Sequence, residues 1–297
     1  MRLRVGAEIA HVQLPRIEPE NGPGNTDLLP VHYNIRPDQW LAGNEDLMSE
    51  ELDHDTWLYG PPKAPRASEL KFKPLRDVLP FDGVRNPTSR SSISHRIAFT
   101  YHTAANNYRP RLGLAESAAE EAVAYEALLS PNLYDLRMQP VTITYDHPDG
   151  GKRKHTFDLG LVHVSGHQRL VFVRNGHSLA KPEVQREIAA IQAAIPKSVA
   201  HDMIVVNADT YTRQRRENLH RMYRASRAPD PGADEMVLDV VSQLPGQVLL
   251  RDLVRKVDLP SPRVMQTVWR LLGQRRIAAN LDHVISLQSL VGARVSP

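Results

Sequence analysis

Lys154-His-Thr-Phe-Asp158-Leu-Gly-Leu-Val-His-Val164 leads into Ser165-Gly166 and then Arg169-Leu-Val-Phe-Val-Arg174-Asn-Gly176. Two runs rich in β-branched and large apolar residues flank a glycine-containing break, which predicts a β-hairpin. Asp158 stands at the start of the first strand, where a carboxylate is out of place among Phe, Leu and Val. A strand-edge acid accounts for it as simply as a functional one, and the flanking chain has to decide between them.

Upstream, residues 136–145 predict a strand, followed by the His147-Pro-Asp-Gly-Gly151 turn. Before it, residues 114–129 predict an Ala- and Glu-rich helix with an apolar stripe of Leu114, Ala118, Ala122, Tyr125 and Leu129, ended by Pro131. Glu116, Glu120 and Glu121 fall near its first turns, where acids complement the helix dipole. Downstream, 182–195 predicts a helix with Pro182 in its first turn. Residues 203–206 predict a short buried strand and 210–224 a basic helix carrying Arg213, Arg215, Arg216, Arg221 and Arg224. This order gives an α/β domain over 90–225. Five arginines (Arg85, Arg90, Arg96, Arg109 and Arg111) lie in a Ser-, Thr- and Asn-rich stretch that suits phosphate contacts or a plain solvated loop. Residues 1–89 are rich in proline and read as an extended arm with short apolar islands.

Residues 226–233 read as a linker, and the pattern changes beyond it. Three short apolar helix faces follow, over 236–244, 249–257 and 264–272, and then two short strands at 275–282 and 284–287. This is the pattern of a winged helix-turn-helix over 234–297. Its third helix would expose Arg263, Gln266, Thr267 and Arg270 to base edges or phosphates. A protein-docking winged helix is the competing reading.

Composition narrows the function classes. A chain of 297 residues suggests two domains. The absence of cysteine excludes disulfides, thiolate zinc sites and cysteine nucleophiles. No apolar run of about 18 residues is available to cross a membrane. The first residues lack the apolar core of a signal peptide, so a cytoplasmic location is expected. The net charge of +3 hides an asymmetry: residues 1–60 hold four Arg, no Lys and eleven Asp or Glu, a balance of −7, which leaves +10 for the remainder. A basic body suggests a polyanionic partner. His155, His163, His167 and His177 cluster around the hairpin, but no cysteine and no helical His spacing supports zinc. Neither a Walker-type phosphate loop nor a Gly-x-Ser-x-Gly elbow is present.

Several short matches lie in one order. They are Glu116-Ser117-Ala118-Ala119-Glu120, Gln139-Pro140, Thr156-Phe157-Asp158, the basic stretch 207–223 and the segment 276–282. In this order the chain resembles the TnsA-like endonuclease subunits of heteromeric transposons. Their motifs are Glu-Ser-x-x-Glu, Gln-Pro before the first core strand, Thr-Pro-Asp, an Asn-Leu-containing basic helix and the wing. The resemblance implies a restriction-endonuclease-like (PD-(D/E)xK) mixed-sheet core followed by a winged helix. It implies Mg²⁺ held by Glu120 and Asp158 for cleavage of a phosphodiester in double-stranded DNA. As partners it implies a DDE-type transposase and an AAA+ regulator.

The family's Glu-x-Lys or Gln-x-Lys falls here on Phe172-Val173-Arg174. A phenyl ring cannot ligate a metal, and a guanidinium stays protonated, so Arg174 is left as a phosphate contact. Glu183 or Glu187 on the following helix could replace the missing carboxylate, though a site without a replacement is the favoured expectation. Two readings stand: an active single-strand endonuclease, and an inactive relative kept for DNA binding or assembly. A third makes the winged helix alone, residues 234–297, a DNA-binding regulator.

Overall fold

The computed structural model describes residues 75–85 and 97–294, all within one unit, Pro65–Pro297. Most of the expected arm, together with Arg90 and Arg96, lies outside the described residues. In chain order the elements are β1 (Ile97–Tyr101), β2 (Arg111–Ala115), α1 (Ala118–Leu128), β3 (Leu133–Met138), β4 (Thr142–Asp146), β5 (Lys152–Thr156), β6 (Leu159–His163), β7 (Gln168–Arg174), the short α2 (Gly176–Leu179), α3 (Pro182–Ala193), β8 (Asp202–Asn207), α4 (Arg213–Ser226), α5 (Pro231–Ser242), β9 (Val248–Leu249), α6 (Leu250–Lys256), α7 (Ser261–Gly273), β10 (Ile277–Ala279) and β11 (Leu290–Ala293). The protein is a mixed α/β fold.

The expected hairpin is present as β6 and β7 at the centre of a four-stranded sheet ordered β3-β6-β7-β8. β3 and β7 run antiparallel to β6, and β8 runs parallel to β7. Alternation along β7 sends Val171 to one face and Leu170 to the other. On the first face Leu136, Met138, Leu159, Leu161 and Val171 share a core with Val123 and Tyr125 of α1 and Leu219 and Met222 of α4. On the second, Leu170 and Met203 meet Ile143 and Tyr145 of β4, Phe157, and Ile191 of α3.

Two sequence expectations change here. The single strand over 136–145 is two strands in two sheets. Pro140 has no N–H to donate to a ladder, and Gln139 sits at φ 51. The chain therefore leaves β3 and starts β4, which among the described residues pairs with β5 alone. The helix expected from residue 114 begins at Ala118, because Leu114 pairs with Ala98 in the β1–β2 hairpin. Ser117 caps it, accepting a hydrogen bond from the Glu120 amide.

After α4 only residues 227–230 separate two helices, because Asp230 caps α5 and accepts from the Ala233 amide at 3.2 Å. The remaining order is helix, strand, helix, helix, strand, strand, with a three-stranded sheet ordered β10-β11-β9. The second strand expected at 284–287 lies at Leu290–Ala293 instead. Residues 286–289 form a turn closed by Ser289 N–H to Ser286 O at 3.0 Å.

This part shares its core with the first. Val264, Val268 and Leu271 of α7 belong to the same buried cluster as Leu219 and Met222. A Cβ on Gly273 would lie 2.9 Å from Leu129 Cδ2, just past α1, and 3.5 Å from Met222 Cβ of α4, so α7 packs closely on both. The Asn218 amide, fully buried, donates to Leu281 O and His283 O, both at 2.8 Å. A fragment of residues 234–297 alone is therefore expected to show no cooperative melt by circular dichroism. A sharp transition in that fragment would show that it does not depend on α4.

Candidate functional site

Asp158 lies at the joint where the chain passes from β5 into β6. Its neighbours Phe157 and Leu159 are fully buried in opposite cores, which pins the backbone between them. The Asp158 amide donates to Val171 O at 3.1 Å, and Gln139 N–H donates to Asp158 O at 2.9 Å. The side chain takes an amide of the neighbouring strand, with Val173 N–H donating to Oδ2 at 2.8 Å. Glu120 comes from the first turn of α1. Its Oε2 accepts from the Glu116 amide at 2.9 Å and its Oε1 from the Ser117 hydroxyl at 3.0 Å. Glu120 is thus a capping residue, yet it is not a solvated dipole complement: both it and Asp158 are only 7% exposed.

Burial sets the electrostatics. Burial, and then the charge of Glu120, push the Asp158 carboxyl up to about 8. Burial also raises Glu120, against the hydrogen bonds from Glu116 and Ser117. The Arg85 guanidinium opposes the rise at both. Asp158 therefore keeps a proton in neutral solution when folded and loses it near pH 4 when unfolded. Its favourable contribution is complete below about pH 4 and is lost as pH rises toward 8. Asp158→Asn, which never ionises, is expected to gain stability on the wild type across that window, by at most about 1.4 kcal/mol per pH unit. Melting curves of both proteins from pH 4 to 9 measure this, and a pH-independent gap would refute the buried ionisation.

Both carboxylates open on a cavity of about 1060 Å³. Its walls also carry Glu116, Glu187 and Asp209 among the acids and Arg85, Lys154, Arg174 and Arg216 among the bases. Of the two candidate substitute carboxylates, Glu187 lines the cavity; Glu183 is exposed and not among the lining residues. Glu187 is engaged, because the Tyr145 hydroxyl donates to its Oε1. Arg174 donates through Nε to Ser178 Oγ at 3.1 Å. Phe172 sets its ring edge-on to His155, 4.4 Å between centroids. Burial lowers His155 to about 4, so it adds no positive charge to the cavity at neutral pH. Arg85, Lys154, Glu116 and Asp209 were missed as members of one site. They are brought together by the β4–β5 hairpin and by contacts far apart in sequence.

Among the described residues no three His, Asp or Glu side chains converge tightly enough to enclose a metal ion. Mg²⁺ does not need such a cage: it usually keeps several waters and takes one or two carboxylates plus substrate phosphate. Glu120 and Asp158, buried and close enough for the charge of Glu120 to act on Asp158, are oxygen donors of the kind that ion takes. Of the histidines around the hairpin, His163 and His167 meet across the turn with ring centroids 5.9 Å apart, while His155 lines the cavity.

The third helix of the C-terminal part, α7, corrects the expected DNA-contacting set. Thr267 is fully buried and Arg270 is 2% exposed. Arg270 is neutralised by Asp234 of α5, with Nη2 2.6 Å and Nε 2.8 Å from Oδ1. Arg263 and Gln266 remain at the surface. Arg263 is held by Asp230 at 2.7 and 2.9 Å, a pairing that brings the Asp230 carboxyl down to about 2. On α4, Arg213 is exposed and Arg216 lines the cavity.

The chain matches no protein-family model and no curated protein.

Proposed function

We propose that this protein is a Mg²⁺-dependent DNA endonuclease of the TnsA-like kind. In this reading its core is restriction-endonuclease-like and its C-terminal part a winged helix. The observation that carries the proposal is the pair of buried carboxylates, Glu120 and Asp158, opening on a cavity that also holds Arg85, Lys154, Arg174 and Arg216. Glu120 and Asp158 hold the ion. When bound, Mg²⁺ supplies a Lewis acid for the phosphodiester and lowers the pKa of the attacking water. The chain's own share is positional. The Val173 amide fixes Asp158, the Glu116 amide and Ser117 hydroxyl fix Glu120, and the basic side chains take backbone phosphates. With Thr267 and Arg270 buried, phosphate contacts fall to Arg213 and Arg216 of α4 and to Arg263 and Gln266. A DDE-type transposase cutting the other strand and an AAA+ regulator complete the assembly that the resemblance implies.

A second reading, an inactive relative that binds DNA in the same assembly, is favoured by Phe172 and Arg174. A phenyl ring packed on His155 and a guanidinium turned to Ser178 supply neither ligand nor base. Incubating supercoiled plasmid with the full chain and Mg²⁺ or Mn²⁺ separates the two. Nicked circles that EDTA abolishes are expected. Intact plasmid at every metal concentration, with DNA still bound, would leave the second reading.

A further inference from the structure

Residues 75–85 form a strap laced onto the α/β body. Leu79 N–H donates to Pro110 O at 2.8 Å, Leu112 N–H to Leu79 O at 2.9 Å and Val84 N–H to Gln139 O at 2.9 Å. Asp82 pairs with Arg111. The strap thereby delivers Arg85 into the cavity in a fixed pose. Its Nε and Nη2 donate to Gln139 Oε1 at 3.3 and 3.2 Å, and Nη2 lies 2.8 Å from Glu116 Oε1.

Gln139 is an unusual anchor. It is fully buried and left-handed at φ 51, a conformation that a non-glycine residue keeps only when its surroundings hold it there. Its backbone bonds to Asp158 on one side and Val84 on the other. Among the described residues its Nε2 has no partner, so Arg85 is what its side chain serves. The same residue that fixes the Asp158 carbonyl thus fixes this guanidinium.

We propose that Arg85 is a further catalytic residue of the nuclease proposed above, contacting a non-bridging oxygen of the scissile phosphodiester through Nη1. Arg85 lines the same cavity as Glu120 and Asp158, and Nε and Nη2 are the atoms it turns to Gln139 and Glu116. A planar fork can keep its Nε and Nη2 on Gln139 and beside Glu116 and offer its other edge to phosphate, whereas an ammonium cannot. Arg85 transfers no proton. Water attacks phosphorus and releases a proton to solvent; the P–O bond to the leaving strand breaks with its electron pair on that strand's oxygen, which takes a proton from solvent; the guanidinium offsets the charge on the non-bridging oxygen.

The test uses the full chain with Arg85→Ala and Arg85→Lys. Plasmid nicking in Arg85→Ala should fall about 10²-fold, in line with loss of one preorganised charge donor, and Arg85→Lys should not restore it. Mn²⁺ affinity, read from the free-ion electron paramagnetic resonance signal, should stay equal or tighten, because a competing cation has gone. Wild-type nicking in Arg85→Ala would overturn the assignment. So would a parallel loss of Mn²⁺ affinity and melting temperature, which a merely structural strap predicts. If the wild type does not nick at all, the nuclease reading fails by itself. The phosphate contact is then read in Ca²⁺-dependent binding of a short duplex, where a roughly tenfold weakening in Arg85→Ala supports it and undiminished binding overturns it.

Discussion

Asp158→Ala and Glu120→Ala should each lower Mg²⁺-dependent plasmid nicking by about 10²–10⁴-fold, the range seen when one essential catalytic group is removed. The two losses should not add, because in the proposed site both residues hold one ion. The folded protein should survive both changes. Asp158 loses only the Val173 hydrogen bond and sheds a buried carboxyl already pushed up to about 8 by burial and by Glu120. Glu120→Ala also removes the acceptor for the Ser117 hydroxyl and the Glu116 amide. That is a helix-capping loss of about 1 kcal/mol. Melting temperature and rate therefore separate the two roles of Glu120. Residual nicking within a few-fold of wild type in either variant would remove these carboxylates from the chemistry.

The largest stability effect is expected far from that cavity. Arg270→Met should destabilise the protein by about 3–5 kcal/mol, because it strands a buried carboxylate. Asp234 is 7% exposed, and Arg270 provides its ion pair at 2.6 Å. The guanidinium also serves Thr267 Oγ1 at 2.9 Å and Ala228 O at 3.0 Å. For a chain of this size the loss corresponds to a drop in melting temperature on the order of 10 °C. Changing both partners, Asp234→Leu with Arg270→Met, should recover more than half of it, since an apolar pair avoids the cost of burying charge. Equal melting of Arg270→Met and wild type would mean that this ion pair does not tie α5 to α7.

The Arg270 result also shows where sequence reading stopped. A basic residue at i, i+3 and i+7 from other polar positions on a helix reads as a solvated face. Here the neutralising partner is Asp234 of α5, 36 residues away, and no local pattern announces it. The β6–β7 hairpin was legible because two β-rich runs flank a glycine turn. The joint at Phe157–Asp158 was not, because the alternation does not record that β5 leaves for a second sheet. The start of α1 could have been read: Ser117 followed three residues later by Glu120 is a capping-box signature, and it outweighs the helical stripe that drew Leu114 in. Asp158 stood out as a carboxylate among Phe, Leu and Val, whereas Glu120 read as a helix-dipole complement and was singled out only by the Glu-Ser-x-x-Glu resemblance; the fold brings both to one cavity. The Gln139–Arg85 contact spans 54 residues and depends on a left-handed backbone that only the folded chain displays.

The most direct measurement is Mn²⁺ binding itself, followed by loss of the free-ion electron paramagnetic resonance signal at pH 8 in wild type, Glu120→Ala and Asp158→Asn. Wild type should take up the ion with saturable binding, and both variants should lose most of it. Uptake that is absent in wild type, or unchanged in both variants, would contradict a metal site at these two buried carboxylates.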